Sequence, residues 1–186
     1  MSVRLATLLA LGFFAVGSAV AAAPALVLSR VPAKSAASVT VGSTAIGPDH
    51  LVAQRNTAFG QGLSPEVNWN SAPGARAYAV ILEDPDAPGA KPFVHWLAWN
   101  IPATVTRLAE GVPTTGAIEG RNDHGGNGYW GPHPPSGTHH YHLQVFALDA
   151  PLVLTAGADR DALAAAMRGH VLASGEIVGL VTAPTH

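Results

Sequence analysis

The apolar run Ala77–Leu82 ends in Asp84-Pro85-Asp86-Ala87-Pro88, and this junction constrains the fold more than any other part of the chain. So short a run, bounded by turn residues, reads as a buried central strand rather than a helix. Prolines at 85 and 88 then force the backbone to turn. Asp84 and Asp86 are thereby fixed at the C-terminal end of that strand. A second strand is expected over Val94–Ile101, and strict alternation places His95, Leu97, Trp99 and Ile101 on one face, with Trp96, Ala98 and Asn100 on the other. Carboxylates and an imidazole gathered at one sheet end are the elements of a pocket.

The stretch His139–Leu148 also alternates. His139, Tyr141, Leu143, Val145 and Ala147 share one face, and His140, His142, Gln144, Phe146 and Leu148 share the other. A shorter strand is expected within Ser64–Trp69, and a last one over Ala173–Val181, whose Gly175 and Gly179 allow bulging or close backbone approach. One helix is expected over Ala162–Arg168, capped by Asp159 or Asp161 and ended by Gly169. Between Glu119 and Gly137 lies a Gly, Pro and His segment that contains Tyr129 and Trp130. Aromatics inside it and strands on both sides favour an ordered functional loop over a linker.

Residues 1–23 carry Arg4, an apolar run from Leu5 to Val16, and then small residues with Ala19-Val20-Ala21 and Ala21-Ala22-Ala23 as cleavage sequences. This is the pattern of a secretory signal peptide, so the chain is expected to be exported, periplasmic or secreted. The run is short for a span and lacks a basic stop-transfer cluster, and no later segment could cross a bilayer, so no integral span is expected after cleavage. Residues 24–38, rich in Ala, Pro and Ser, are expected to form an extended tail, and residues 39–186 a single domain. The chain has no cysteine, which excludes disulfides and thiolate chemistry. A formal charge of -2 without a basic run argues against nucleic acid and against electrostatic membrane docking.

Several segments, taken in order, resemble the phosphatidylethanolamine-binding protein family, in particular its bacterial branch of Raf kinase inhibitor-like proteins. They are Ser64-Pro65 with Trp69, Asp84 to Pro88, His95-Trp96 before Asn100-Ile101-Pro102, and Gly128-Tyr129 with Gly131 to Gly137. His139-His140-Tyr141, Ala147-Leu148-Asp149 and Gly169 to Ala173 complete the set. The resemblance implies a mostly β fold, with a large central antiparallel sheet packed on a smaller sheet and a helix near the C-terminus. It also implies a small anion pocket at one sheet end. By position its residues are Asp84, Asp86, His95, Gly131, His139 and Tyr141, with Phe93 at the mouth. Two positions depart from the family's pattern: His140, where an arginine is common, and His133, where a small residue is usual. His140 falls on the opposite strand face, whereas His133 falls in the pocket loop and bears on ligand size or pH response.

Two histidines facing one cavity can hold a phosphate or carboxylate by charge-assisted hydrogen bonds, with Asp84 as orienter. The expected ligand is therefore phosphate, a phosphomonoester or a phospholipid head group, bound without catalysis and without a cofactor. Two other roles compete with this one. Asp and His groups in a cleft can perform acid–base isomerase or lyase chemistry, although the chain has no Gly-x-Ser-x-Gly nucleophile elbow. The loop Asn122–Gly137 could instead serve an inhibitor or interaction module for an extracytoplasmic protein partner. The histidine density of His124, His133, His139, His140 and His142 lacks metal-ligand spacing, and no metal site is expected.

Overall fold

The computed structural model describes residues 24–112 and 116–185. The leader expected over residues 1–23 lies outside them. A single helical turn, α1 (Val27–Arg30), precedes strands β1 (Val41–Gly42), β2 (Val67–Trp69), β3 (Ala77–Asp84) and β4 (Phe93–Pro102). Then follow β5 (Arg107–Leu108), β6 (Ile118–Glu119), β7 (Thr138–Leu148), α2 (Arg160–Met167) and β8 (Val171–Thr182). The strands form a five-stranded antiparallel sheet, in the order β6-β4-β3-β7-β8, and a three-stranded one, β1-β2-β5. This is the two-sheet, mostly β architecture expected from the sequence.

β3 is the central strand and is buried along its whole length, which its uninterrupted apolar run requires. Its two faces serve two cores. Tyr78, Val80 and Leu82 pack with Trp96, Tyr141, Leu143 and Val145 against Val41, Val67, Trp69 and Leu108 of the small sheet. Ala77, Ala79 and Ile81 pack with Leu97, Trp99, Phe146 and Leu148 against α1 and α2, through Val27, Leu163 and Met167. Asp159 is the N-cap of α2 and accepts the Ala162 N–H at 2.9 Å, and Gly169 takes a left-handed φ of 75° just beyond its end.

β4 does not alternate as expected. Val94 pairs with Glu83 and Trp96 with Leu82, so His95 is an extra residue in a bulge. Ala98 pairs with Val80 and Ile101 with Tyr78, so a second irregularity opposes Trp99 and Asn100 to Ala79. Leu97 and Trp99 stay together on the helix side, whereas Ile101 joins Trp96 and Ala98 beside the small sheet, and the His95 ring packs against Tyr141. Asn100 sits at a φ of 58°, unusual for a residue with a side chain. Its amide holds both main-chain groups of Leu152, donating to the carbonyl at 3.0 Å and accepting the N–H at 2.7 Å.

Residues 24–38 are not an extended tail. Val27 and Val31 are fully buried on the helix side of the large sheet, and only the stretch after Val31 is largely exposed. Composition misleads here because the α1 main chain is held by side chains from distant strands, not by local helix propensity.

Candidate functional site

Asp84 ends β3 and organises its surroundings with both carboxylate oxygens. Oδ1 accepts the N–H groups of Asp86 at 2.9 Å and Ala87 at 3.1 Å, which locks the Pro85–Pro88 turn. Oδ2 lies 2.8 Å from His139 Nδ1, a buried contact that orients the His139 ring from the neighbouring strand β7. The second histidine is set by the β4 bulge. Trp130 donates its N–H to the His95 carbonyl at 2.8 Å, and His95 Nδ1 lies 2.9 Å from the Trp130 carbonyl. A carbonyl can only accept, so Nδ1 carries the proton and Nε2 is left as the ring's lone-pair nitrogen.

These side chains open on a cavity of about 530 Å³ lined by Asp84, Pro88, Phe93, His95, His133 and His139, with Ala87, Pro135 and the pair His124 and Trp130 completing the wall. Its surface is mainly apolar, with no lysine or arginine among the described residues that line it. His124 and Trp130 stack with ring centroids 3.5 Å apart and planes 4° from parallel. His133 packs on Phe59, and Phe93 on His95, at centroid distances of 4.7 and 4.9 Å. The loop that supplies this wall is fastened along β4. Asp123 exchanges two hydrogen bonds with the main chain of Val94, and Gly120 donates to the Leu97 carbonyl.

Burial pushes the His95 imidazole down to about 4, against opposing pulls from the Trp130 carbonyl and the Asp84 carboxylate. Tyr141 lies beneath the cavity with its ring 5.2 Å from that of His95. Burial, with Asp84 nearby, raises its phenol far above the usual range, so it keeps its proton.

Of the six residues expected in the site, Asp84, His95 and His139 line the cavity, as does Phe93. The other three act from outside the wall. Asp86 turns away from the cavity to receive the His140 N–H and to meet His140 Nδ1, each at 2.7 Å. Partial burial works the other way, but these His140 contacts hold the Asp86 carboxyl below its ordinary value. Gly131 packs its bare Cα against the Thr57–Ala58 main chain, where a Cβ would come within 2.5 Å of Ala58 N. Tyr141 supports His95 from below. The expectation missed the stacked pair His124 and Trp130. Their only sequence signal was a histidine and a tryptophan six residues apart within a glycine-rich loop.

The fold and the cavity define a class: two packed antiparallel sheets with a histidine-lined, ligand-sized cavity where the central strands end. The family model described as phosphatidylethanolamine-binding protein matches residues 42–182. A UPF0098 protein from Methanothermobacter thermautotrophicus is 42% identical over 135 residues, covering 69% of this chain and 89% of the relative. One from Pyrococcus horikoshii is 42% identical over 148 residues, covering 74% of each chain. Among solved structures, a phosphatidylethanolamine-binding protein homologue from Chlamydia trachomatis superposes with a TM-score of 0.75 at 30% identity, over 79% of this chain and 99% of the homologue. E. coli YbcL, described as a member of the mammalian family, gives 0.73 at 30% identity, over 80% of this chain and all of YbcL. The chain belongs to the phosphatidylethanolamine-binding protein family.

Proposed function

We propose that this chain is an exported, non-enzymatic binding protein whose cavity holds a small oxyanion: phosphate, a phosphomonoester or a phospholipid head group. The observation that carries the proposal is the pair of oriented imidazoles, His95 and His139, in a cavity with no lysine or arginine among the described residues that line it. His139 is oriented by Asp84 and lines the cavity, so its ring can present a hydrogen bond to an oxyanion that enters beside that carboxylate. His95 is held neutral by burial and offers a lone pair at Nε2. It suits an oxyanion that brings its own proton, such as the monoanion of phosphate or of a phosphomonoester, whose P–OH can donate to Nε2. Because the ligand's own proton makes this contact, binding is stronger at acidic pH. Export rests on the leader pattern of residues 1–23.

Calorimetry with phosphate, phosphoethanolamine and sulfate at pH 5.5 and 7.5 tests the proposal. Sulfate carries no proton at either pH. Phosphate and phosphoethanolamine should bind more tightly at pH 5.5, sulfate should bind poorly, and His95→Ala and His139→Ala should abolish the heat. A folded protein that gives no heat with either phosphate ligand at pH 5.5 overturns it.

A further inference from the structure

On the opposite side of the sheet from the cavity, residues 24–31 dock into a groove with a polar floor. Three polar side chains are buried there: Glu83 from β3, Gln144 from β7 and Arg160 from α2. Each engages the main chain of residues 24–31. Glu83 Oε2 accepts the Val27 N–H at 2.8 Å, Gln144 Oε1 accepts the Leu28 N–H at 2.7 Å, and Arg160 Nη2 donates to the Ala25 carbonyl at 2.5 Å. The three are also bound to one another: Gln144 Nε2 donates to Glu83 Oε2 at 2.6 Å, and Arg160 Nε donates to Glu83 Oε1. Val27 and Val31, one turn apart, fill the apolar part of the groove. Arg30 reaches Asp161 at 2.8 Å beside them.

This geometry has the parts of a peptide site: main-chain donors and acceptors read by buried side chains, two apolar anchors at i and i+4, and one basic contact. Emptying the groove would take one main-chain hydrogen bond from each of Glu83, Gln144 and Arg160 and expose the apolar surface under Val27 and Val31, a cost that favours an occupant. The segment cannot hold its conformation alone, because a helix of four residues is far below the length that is stable in water. It is tied to β1 by residues 32–38, most of which are exposed, with the Lys34 N–H donating to the Val171 carbonyl and Ser38 bridging Ser174.

We propose that this groove is a peptide-binding site which the chain fills with its own residues 24–31, and which accepts the same segment from a second copy of the chain. Every contact of residues 24–31 is identical in the exchanged form, so the two forms differ in the entropy of closing the 32–38 connection and in that connection's own contacts. That connection gives the chain's own segment an effective concentration of about millimolar, and exchange stays rare until the connection is cut or shortened.

The test is to place a protease site between Ala36 and Ala37, cut the folded chain, and follow the released segment. The proposal expects the segment ending at Ala36 to stay bound after cutting. It also expects exchange with excess fluorescein-labelled peptide Pro24–Ala36, and at least 100-fold weaker competition by the same peptide carrying Val27→Asp. If cutting unfolds the body, excess peptide should restore the fold. Loss of the segment without a change in melting temperature overturns the proposal. So does a bound segment that never exchanges, equal competition by Val27→Asp, or an unfolded body that peptide does not rescue.

Discussion

His95 and Trp130 exchange two hydrogen bonds, Trp130 N–H to the His95 carbonyl at 2.8 Å and His95 Nδ1 to the Trp130 carbonyl at 2.9 Å. The loop and the strand therefore fix one tautomer of one imidazole. The site's response to acid follows from this pair, because Nδ1 already holds its proton and a proton taken up at Nε2 would place a charge in a buried, mainly apolar setting.

Stability should fall as the pH drops from about 6.5 to about 4, the interval over which the unfolded His95 takes up a proton and the folded one resists it. The unfolded state binds more protons there, so the contribution is complete above the upper limit and lost toward the lower one. Its ceiling is on the order of 3 kcal/mol, from a depression of two to three pH units. Urea unfolding of the wild type and of His95→Gln at pH 7, 5.5 and 4 measures it. The variant should lose distinctly less stability over this range, and parallel curves would remove His95 as the cause.

Gly131→Ala should loosen the cavity wall from outside. The added methyl would meet the main chain of Thr57 and Ala58 at 2.5 to 2.7 Å, and neither segment can yield without moving. A loss of about 1–3 kcal/mol is expected, with weaker phosphate binding. Gly126→Ala, in the same loop, meets only Asn122 at an ordinary 3.7 Å and serves as the control that changes neither. Melting temperature and calorimetry on both variants decide the matter.

At Asn100 the order of substitutions carries the information. Alanine removes both hydrogen bonds to Leu152 and keeps a φ of 58° that it tolerates poorly, for a loss of about 2–4 kcal/mol. Glycine removes the same bonds but accepts the backbone, and should lose less. Denaturation midpoints ranking Asn, Gly, Ala from most to least stable are expected. An alanine variant as stable as glycine would show that the backbone is unstrained.

Asp159→Ala should cost about 1 kcal/mol by uncapping α2, and Asp159→Ser should recover most of it, because a hydroxyl can also accept the Ala162 N–H. Chemical denaturation of the two variants separates the cap from the distant charge contact with Arg121, which serine would not restore.

Much of this fold is written in local pattern. The apolar run at Ala77–Leu82 can only be a strand buried on both faces, and the alternation over His139–Leu148 assigns every side chain to its face, because β7 pairs with β3 without a break. β4 follows no such rule. Where its bulges fall depends on how it registers against β3, and the residues of β4 alone do not contain that information. Asp84 and His139 were legible because a turn and a strand phase place them. His124 and Trp130 were not, because their contact depends on a loop fastened to β4 by main-chain hydrogen bonds. The docking of residues 24–31 escaped for a similar reason, since the groups that hold it come from β3, β7 and α2.

The two outer strands of the large sheet have a bearing on colloidal behaviour. Beyond β4, the short strand β6 and the bonds from Gly120, Asp123 and Trp130 occupy the main-chain groups that an incoming strand would need. Beyond β8, Ser38 bridges Ser174 and Leu51 bridges Leu180, and the interval between them carries Glu176 and glycines at 175 and 179, the first lying under the Val39 carbonyl. An incoming strand would meet native segments along Val94–Leu97 and at Ser174 and Leu180, and between those two bridges a charge and two glycines, so the folded protein offers a poor template for fibril growth.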